Sequence, residues 1–270
     1  MFTKYFHFFI FFITALFSTL SAQNPQRFIV VTPEKTGTHL LTKLIERLVN
    51  KQVHNCWNHI LTETELMTLL EEVENNNSFL HIHALPTKEL IHTLKKNHYK
   101  VCFLMRDPRD VMVSLLYYIE KGWSMGPCNL EMPYGLLSFQ EKLHELITGE
   151  RYGLRMVEAI ILRRLGWMKE SFVYTSYFEN LVGAEGGGND ADQLKELVNL
   201  SRHLGIKLNK HEMKNITENL WGAEPGEKTT FRNGQIGSWK EEFHDEHKKE
   251  FKKRYSKLLI HLKYEKNSHW

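Results

Sequence analysis

The run Phe28-Ile-Val-Val31, with Thr32-Pro-Glu-Lys35-Thr36-Gly37-Thr38-His39 behind it, limits the possible folds more than any other stretch of the chain. An apolar, partly β-branched run of this kind reads as a strand buried in a parallel sheet. Gly37 and its flanking threonines make a tight turn. Beyond it, Leu40, Leu41, Leu44, Ile45, Leu48 and Val49 recur at helical spacing. A strand, a turn and a helix N-terminus bring unpaired N–H groups and the positive end of a helix dipole to one spot. Such a spot suits a phosphate or a sulfate. Lys35 adds a mobile cation at its mouth. An ordinary βα turn with a surface lysine has the same local pattern. The spacing departs from GxxxxGK followed by Ser or Thr, which disfavours an ordinary ATP or GTP site.

The rest of the chain repeats the alternation. Phe79–His83, Val101–Met105 and Ser171–Tyr177 read as strands, the last two as core strands. Helices are expected over Thr62–Glu74, Lys88–Asn97, Asp107 to about Lys121, most of Glu141–Lys169, Ala191–Leu204, Lys210–Leu220 and Glu246–Lys263. Trp123–Phe139 reads as a long loop, Gly183–Asn189 as a flexible one and Thr229–Gly237 as a polar one. Strands alternating with helices predict an α/β fold, a central parallel β-sheet flanked by helices, in a single domain. The 270 residues suffice for one large core. A net charge of +3 argues against a nucleic-acid partner, so any anion site is local. Cys56, Cys102 and Cys128 form neither a disulfide framework nor a spaced metal motif.

The N-terminus differs in kind. After Met1-Phe-Thr-Lys4, the run Tyr5–Leu20 is apolar apart from His7, Thr14, Ser18 and Thr19, and small residues follow at Ser21 and Ala22. This pattern predicts a signal peptide over residues 1–22 and an exported, secretory-pathway protein. An uncleaved membrane anchor is the alternative, though the run is short against the roughly 20 residues of a span.

Two further stretches carry chemistry. Arg106-Asp-Pro108-Arg109-Asp110-Val-Met-Val-Ser114 stands at the carboxyl end of a strand, where open α/β sheets bind ligands. An arginine fork with a hydroxyl two helical turns on is a phosphate clamp. Surface pairing of Arg106 and Arg109 with Asp107 and Asp110 is the competing reading. Phe231-Arg232-Asn233-Gly234-Gln-Ile-Gly237-Ser-Trp239-Lys240 offers a cation, glycine-exposed N–H groups and an aromatic ring. It can close over a phosphate or be a solvated turn.

The set, in this order, resembles the sulfotransferase family that uses 3′-phosphoadenosine 5′-phosphosulfate (PAPS), from about residue 27 to 265. Family members carry a loop like PKSGTTW, here Pro33 to Leu40. They carry RxPRDxxxS, here Arg106 to Ser114. A YEDL segment appears as Tyr177-Phe178-Glu179-Asn180-Leu181, and FRKGxxGDWK appears as Phe231 to Lys240. The resemblance implies a P-loop NTPase-like sulfotransferase fold and PAPS as co-substrate, with no metal. It implies that Lys35, Thr36, Gly37, Thr38 and His39 bind the 5′-phosphosulfate, with Lys35 also on the leaving oxygen. Arg106 and Ser114, joined by Arg232, Asn233 and Gly234, would hold the 3′-phosphate. Tyr177 and Phe231 would lie near the adenine. The family's base is a histidine in a segment like KTHLP, which matches His81-Ile-His83-Ala-Leu-Pro86. His83 is the candidate base.

The chain departs from the family in several places. Leu40 stands where the family stacks adenine on a tryptophan. His81 replaces a lysine and would make that charge pH-dependent. Ala84 is an extra residue, which keeps His81 open as the base. Asn233 and Ser238 replace a lysine and an aspartate. The acceptor implied is a hydroxyl or amine of a small molecule, carbohydrate or peptide. A non-catalytic nucleotide-binding protein of the same fold, and an ATP-dependent P-loop kinase, are the rival readings. The sequence is silent on oligomeric state, and a membrane partner follows only if the N-terminal segment is retained.

Overall fold

The structure is a computed structural model that describes residues 27–57, 61–122, 134–218, 220–222 and 233–270. The N-terminal segment 1–22 expected as a signal, most of the Trp123–Phe139 loop, Cys128, Phe231 and Arg232 lie outside those residues. Five parallel strands, β1 (Phe28–Val31), β2 (Gln52–Cys56), β3 (Ser78–Ile82), β4 (Lys100–Met105) and β5 (Val173–Tyr177), stand in the order β2-β3-β1-β4-β5. The helices are α1 (Thr38–Val49), α2 (Glu63–Asn75), α3 (Lys88–Lys96), α4 (Pro108–Glu120), α5 (Phe139–Thr148), α6 (Phe178–Leu181), α7 (Asp190–His203), α8 (Lys210–Thr217), α9 (Trp239–Glu242) and α10 (Asp245–His261).

β1 is the middle strand and is buried throughout, which is why it is uniformly apolar. Its side chains alternate between two cores. Phe28 and Val30 face Leu41, Leu44 and Ile45 of α1 and Leu197 and Leu200 of α7. Ile29 and Val31 face the opposite layer, built from α2 to α5 and α10. Each fully buried Leu or Ile of α1 contributes roughly 1.5–3 kcal/mol of transfer free energy, so α1 is held by packing rather than by helix propensity. The same period of two sends Phe79 and His81 of β3 towards the α1 layer, and Leu80 and Ile82 away from it.

Four differences from the expected elements have local causes. β2 appears where the sequence reads only as polar, because Gln52, His54 and Asn55 occupy an edge strand that is partly exposed. The helix expected over Glu141–Lys169 is interrupted. Gly149 ends α5 in a left-handed conformation, and the chain resumes as a π turn (Val157–Ile161) and a 3₁₀ stretch (Leu162–Lys169). β5, read as a core strand, is the other edge. The Gly183–Asn189 segment, expected to be a flexible loop, forms a packed turn around a 3₁₀ piece at Ala184–Gly186. A Cβ on Gly186 would meet Val182 Cβ at 2.4 Å, so the backbone there is packed. Among the described residues, no helix is long and apolar enough to cross a membrane.

Candidate functional site

The site forms at the carboxyl ends of β1, β3 and β4. After β1 the chain turns through Lys35, which has a positive φ of 64°, and Gly37, with a φ of 106°. A Cβ on Gly37 would lie 2.5 Å from Phe178 Cδ2, so both the angle and the space require glycine. α1 then starts at Thr38 with no side-chain cap and no acidic residue in its first turn. Helices α2, α3, α4, α5, α7 and α8 all carry a side-chain cap. The start of α1 therefore retains the field and the donors that favour an anion.

Three cations converge there. Burial, with Arg106 and then Lys121 beside it, lowers the Lys35 ammonium to about 8. Its Nζ lies 3.9 Å from the centre of the Tyr118 ring. Arg106 leaves the end of β4, lies 4.1 Å over the ring of Phe178 and donates from Nη2 to the Gln235 carbonyl at 3.0 Å. Its Nε is buried and makes no hydrogen bond among the described residues. An unmade hydrogen bond on a buried guanidinium is costly, and a phosphate oxygen would meet that need. This donor set fits an anionic nucleotide. Ser114 lies two turns along α4, half-buried.

Both arginines of the motif meet its aspartates, buried and not on the surface: Arg109 Nη2 is 2.7 Å from Asp107 Oδ2 and Arg106 Nη2 is 3.8 Å from Asp110 Oδ2, while Arg106 keeps its Nε for a ligand. Arg109 is structural. It forks onto Asp107, reaches Glu265 at 2.6 Å, and is sandwiched 3.9 Å from Trp239 and 4.4 Å from Trp270. Asp110 has a different task. Its Oδ2 accepts from Gly237 N at 2.8 Å and its Oδ1 from Trp239 N at 2.9 Å. The loop bearing Asn233 and Gly234 is thereby fastened beside Arg106. Ile236 N, bonded to Gly186 O, pins that loop from its far side. Burial raises the Asp110 carboxyl, and Arg106 and the two N–H groups oppose that rise.

The histidines meet on the other flank. The rings of His81 and His83 are 4.8 Å apart, edge to face. His83 Nδ1 lies 2.6 Å from the Thr32 carbonyl. A carbonyl can only accept, so Nδ1 carries a proton, and in the neutral ring the lone pair falls on Nε2. His81 is fully buried. Its Nε2 is 2.9 Å from Thr32 Oγ1 and its Nδ1 is 2.9 Å from Asn55 Oδ1. Thr32 Oγ1 in turn meets Thr38 Oγ1 at 2.7 Å, joining the histidines to the first residue of α1. Burial, followed by His83 and His39, holds His81 well below the ordinary imidazole range. The pH-dependent cation expected at His81 is therefore corrected: this imidazole stays neutral and has both nitrogens engaged. The extra residue Ala84 is anchored, because its carbonyl accepts from Trp167 Nε1 at 3.0 Å.

The remaining residues divide. Thr36 gives its hydroxyl proton to the Pro33 carbonyl at 2.8 Å, which closes the turn ahead of Gly37. His39 is exposed at the start of α1. Tyr177 ends β5 with its ring 6.3 Å from that of Tyr264. Leu40 packs against the α1 core rather than standing free as a stacking surface. Tyr118, Lys121, Thr32 and Asn55 also belong to the site and were not marked by any motif. Trp57 stands half-exposed with its ring centre 5.1 Å from that of His83. Among the described residues, no group of three or more His, Cys, Asp or Glu is placed to hold a metal ion.

Comparison with known proteins gives this geometry a context. No curated protein matches the chain. The fold is similar to that of the mouse sulfotransferase SULT7A1 complexed with PAP, with a TM-score of 0.61 and 20% identity over 87% of this chain and 84% of that one. It is also similar to retinol dehydratase, solved with androsterone and inactive cofactor PAP and again with retinol and PAP. The TM-score is 0.57 in both cases, with 16% identity over 87% of this chain and 82% of that one. The family described as "Sulfotransferase domain" matches residues 25–181, more than half of the sequence, from the strand that opens the sheet to the Tyr177–Leu181 segment that closes the match. By that match the chain belongs to the sulfotransferase domain family.

Proposed function

We propose that Lys35 and His83 work on opposite sides of one sulfuryl group, which this PAPS-dependent sulfotransferase moves from 3′-phosphoadenosine 5′-phosphosulfate to a hydroxyl or amine of its acceptor. The carrying observation is the tautomer of His83. Its Nδ1–H is committed to the Thr32 carbonyl at 2.6 Å, which makes Nε2 the atom that can accept a proton. His83 belongs to the segment following β3, the neighbour of β1, and Lys35 to the turn following β1, so the two groups share the carboxyl edge of the sheet.

Sulfuryl transfer needs little covalent work from the protein, much as phosphoryl transfer does; position and charge supply most of the acceleration. His83 Nε2 takes the proton of the acceptor as its oxygen or nitrogen attacks sulfur. The Nδ1–H bond to Thr32 then stabilises the imidazolium that forms. Lys35, Gly37 and the first N–H groups of α1 face the negative charge that develops on the departing phosphate oxygen. Arg106 and Ser114, with Asn233, Gly234 and, by sequence, Arg232, hold the 3′-phosphate. Tyr177 and Phe231 are assigned to the adenine by resemblance alone. His81 is a positioning residue: neutral, it accepts the Thr32 hydroxyl proton, which leaves the Thr32 oxygen to accept from Thr38 at the start of α1.

The acceptor is proposed to be a small molecule, carbohydrate or peptide. The androsterone and retinol in the retinol dehydratase structures both carry a hydroxyl, which supports the first class. Trp57 supports an acceptor that lies against an aromatic face beside His83. We also propose that the enzymatic domain spans 27–265 and is exported, on the strength of the apolar run Tyr5–Leu20 with Ser21 and Ala22 behind it. Mature protein from a secretory host should begin near Gln23; intact Met1 on a membrane-bound product would replace export with anchoring. For the reaction, incubation with PAPS against ATP and magnesium is decisive. Release of adenosine 3′,5′-bisphosphate supports the assignment, and turnover of ATP alone refutes it.

A further inference from the structure

One buried side chain touches both halves of this site, yet it lies in neither and belongs to no motif. Arg164 sits in the 3₁₀ stretch that follows the π turn, with a side chain 3% exposed. The irregular turns there present two carbonyls to a side chain. Arg164 Nη1 donates to Ala159 O at 2.8 Å and to Ile160 O at 3.0 Å. The other edge of the guanidinium faces the site. Nε and Nη2 donate to the carbonyl of His83 at 3.3 and 3.0 Å, and Nη2 also donates to Glu34 Oε1 at 3.0 Å. Glu34 immediately precedes Lys35. In the family's loop the proline directly precedes the lysine, so Glu34 is a residue of this chain's own turn.

We propose that Arg164 is a positioning residue that fixes the span between His83 and the Lys35 turn, with Glu34 as its counter-charge. The proposal rests on the reading of His83 as the base. His83 lies just past the end of β3; Arg164 holds its carbonyl, and the Trp167–Ala84 bond fastens the next residue. The site depends on such a span because the acceptor must be deprotonated in line with the departing phosphate. Misplacement by about 1 Å costs on the order of a hundredfold in rate. Lysine keeps the charge but cannot reproduce a planar fork that meets four acceptors at once.

The test uses the full chain with radiolabelled PAPS at saturation and water as the acceptor. Single-turnover release of sulfate is followed in wild type, Arg164→Lys, His83→Ala and the double variant, beside the affinity for adenosine 3′,5′-bisphosphate. Arg164→Lys should slow release about 10- to 100-fold while bisphosphate affinity changes less than about threefold. In the His83→Ala background the same substitution should cost less than about threefold, because a residue acting through the base has nothing left to position. Equal losses in both backgrounds, or affinity falling in step with rate, would mean general structural support and overturn the proposal. Should Arg164→Lys give no cooperative melt, Glu34→Gln carries the test. It should slow release by about three- to tenfold in wild type and not in His83→Ala, and an unchanged rate overturns the proposal. Wild-type release by His83→Ala would fail the base assignment itself. Wild-type release by Arg164→Lys beside an inactive His83→Ala would fail the bridge alone.

Discussion

Replacing Lys35 by methionine should stabilise the ligand-free protein while abolishing its chemistry. In the folded chain the ammonium is brought from 10.5 to about 8 by burial and by Arg106 and Lys121. A folded value below the unfolded one means that between about 8 and 10.5 the unfolded chain binds more protons. Stability from this group therefore rises with pH across that window, and below it the full penalty applies. A displacement from 10.5 to about 8, at 1.36 kcal/mol per unit, is a penalty of about 3 kcal/mol at pH 7. Methionine keeps the stem and drops the charge. It also loses the contact with Tyr118, about 0.5–2 kcal/mol. The net gain is about 1–3 kcal/mol, a rise of several degrees in melting temperature for a domain of this size. Differential scanning calorimetry of both proteins at pH 7 and pH 9.5 reads it. The gain should shrink at the higher pH, where wild-type Lys35 is already neutral. Affinity for adenosine 3′,5′-bisphosphate should run the other way and weaken in wild type as pH climbs past about 8. A Lys35→Met protein that melts lower than wild type at pH 7 would show that this cation is not held against its neighbours, and the anion-site argument would lose its electrostatic basis.

Other outcomes follow from the same contacts. Arg106→Ala should weaken adenosine 3′,5′-bisphosphate by about 1.5–3 kcal/mol in titration calorimetry, and unchanged affinity would remove the clamp. Asp110→Asn can accept from only one of Gly237 and Trp239 through its oxygen. It should cost about 1–3 kcal/mol in denaturant midpoint and loosen the 233–238 loop in hydrogen exchange, and full protection of that loop would count against the anchor. Burial raises Glu179 from 4.5 to about 7, so the native state binds the extra proton between those values and stability from this group falls as pH rises through them. Glu179→Gln should flatten that part of the stability curve, and an unaltered slope would contradict it.

What the sequence disclosed and what it hid have separate physical causes. β1, the Gly37 turn and α1 were legible because a central strand is apolar throughout and the following helix needs one apolar face. Asn55 was hidden, because its strand is an edge whose polar residues leave no alternation to read. Its bond to His81 places a proton on Nδ1, while burial of the ring, which the alternation does not disclose, is what opposes the charge expected there. Arg164 was hidden for a different reason. It meets His83 across 81 positions of chain, and it does so from a break in helical periodicity that the local pattern joins into one helix. Arg109 shows the reverse case. It stands inside a phosphate-binding motif, yet its partners are Asp107, Glu265 and two tryptophans, two of which lie near the C-terminus.

Central to the account is a sulfotransferase in which the nucleotide site and the proton-accepting histidine are separable parts. One paired measurement tests it most directly. Wild-type and His83→Ala proteins are titrated with adenosine 3′,5′-bisphosphate, then given radiolabelled PAPS with a panel of hydroxyl and amine acceptors. Both proteins should bind the bisphosphate with affinities within about threefold, and His83→Ala should transfer label at least about a hundredfold more slowly than wild type. Wild-type protein that fails to bind the bisphosphate, or a His83→Ala protein that transfers label at the wild-type rate, would contradict it.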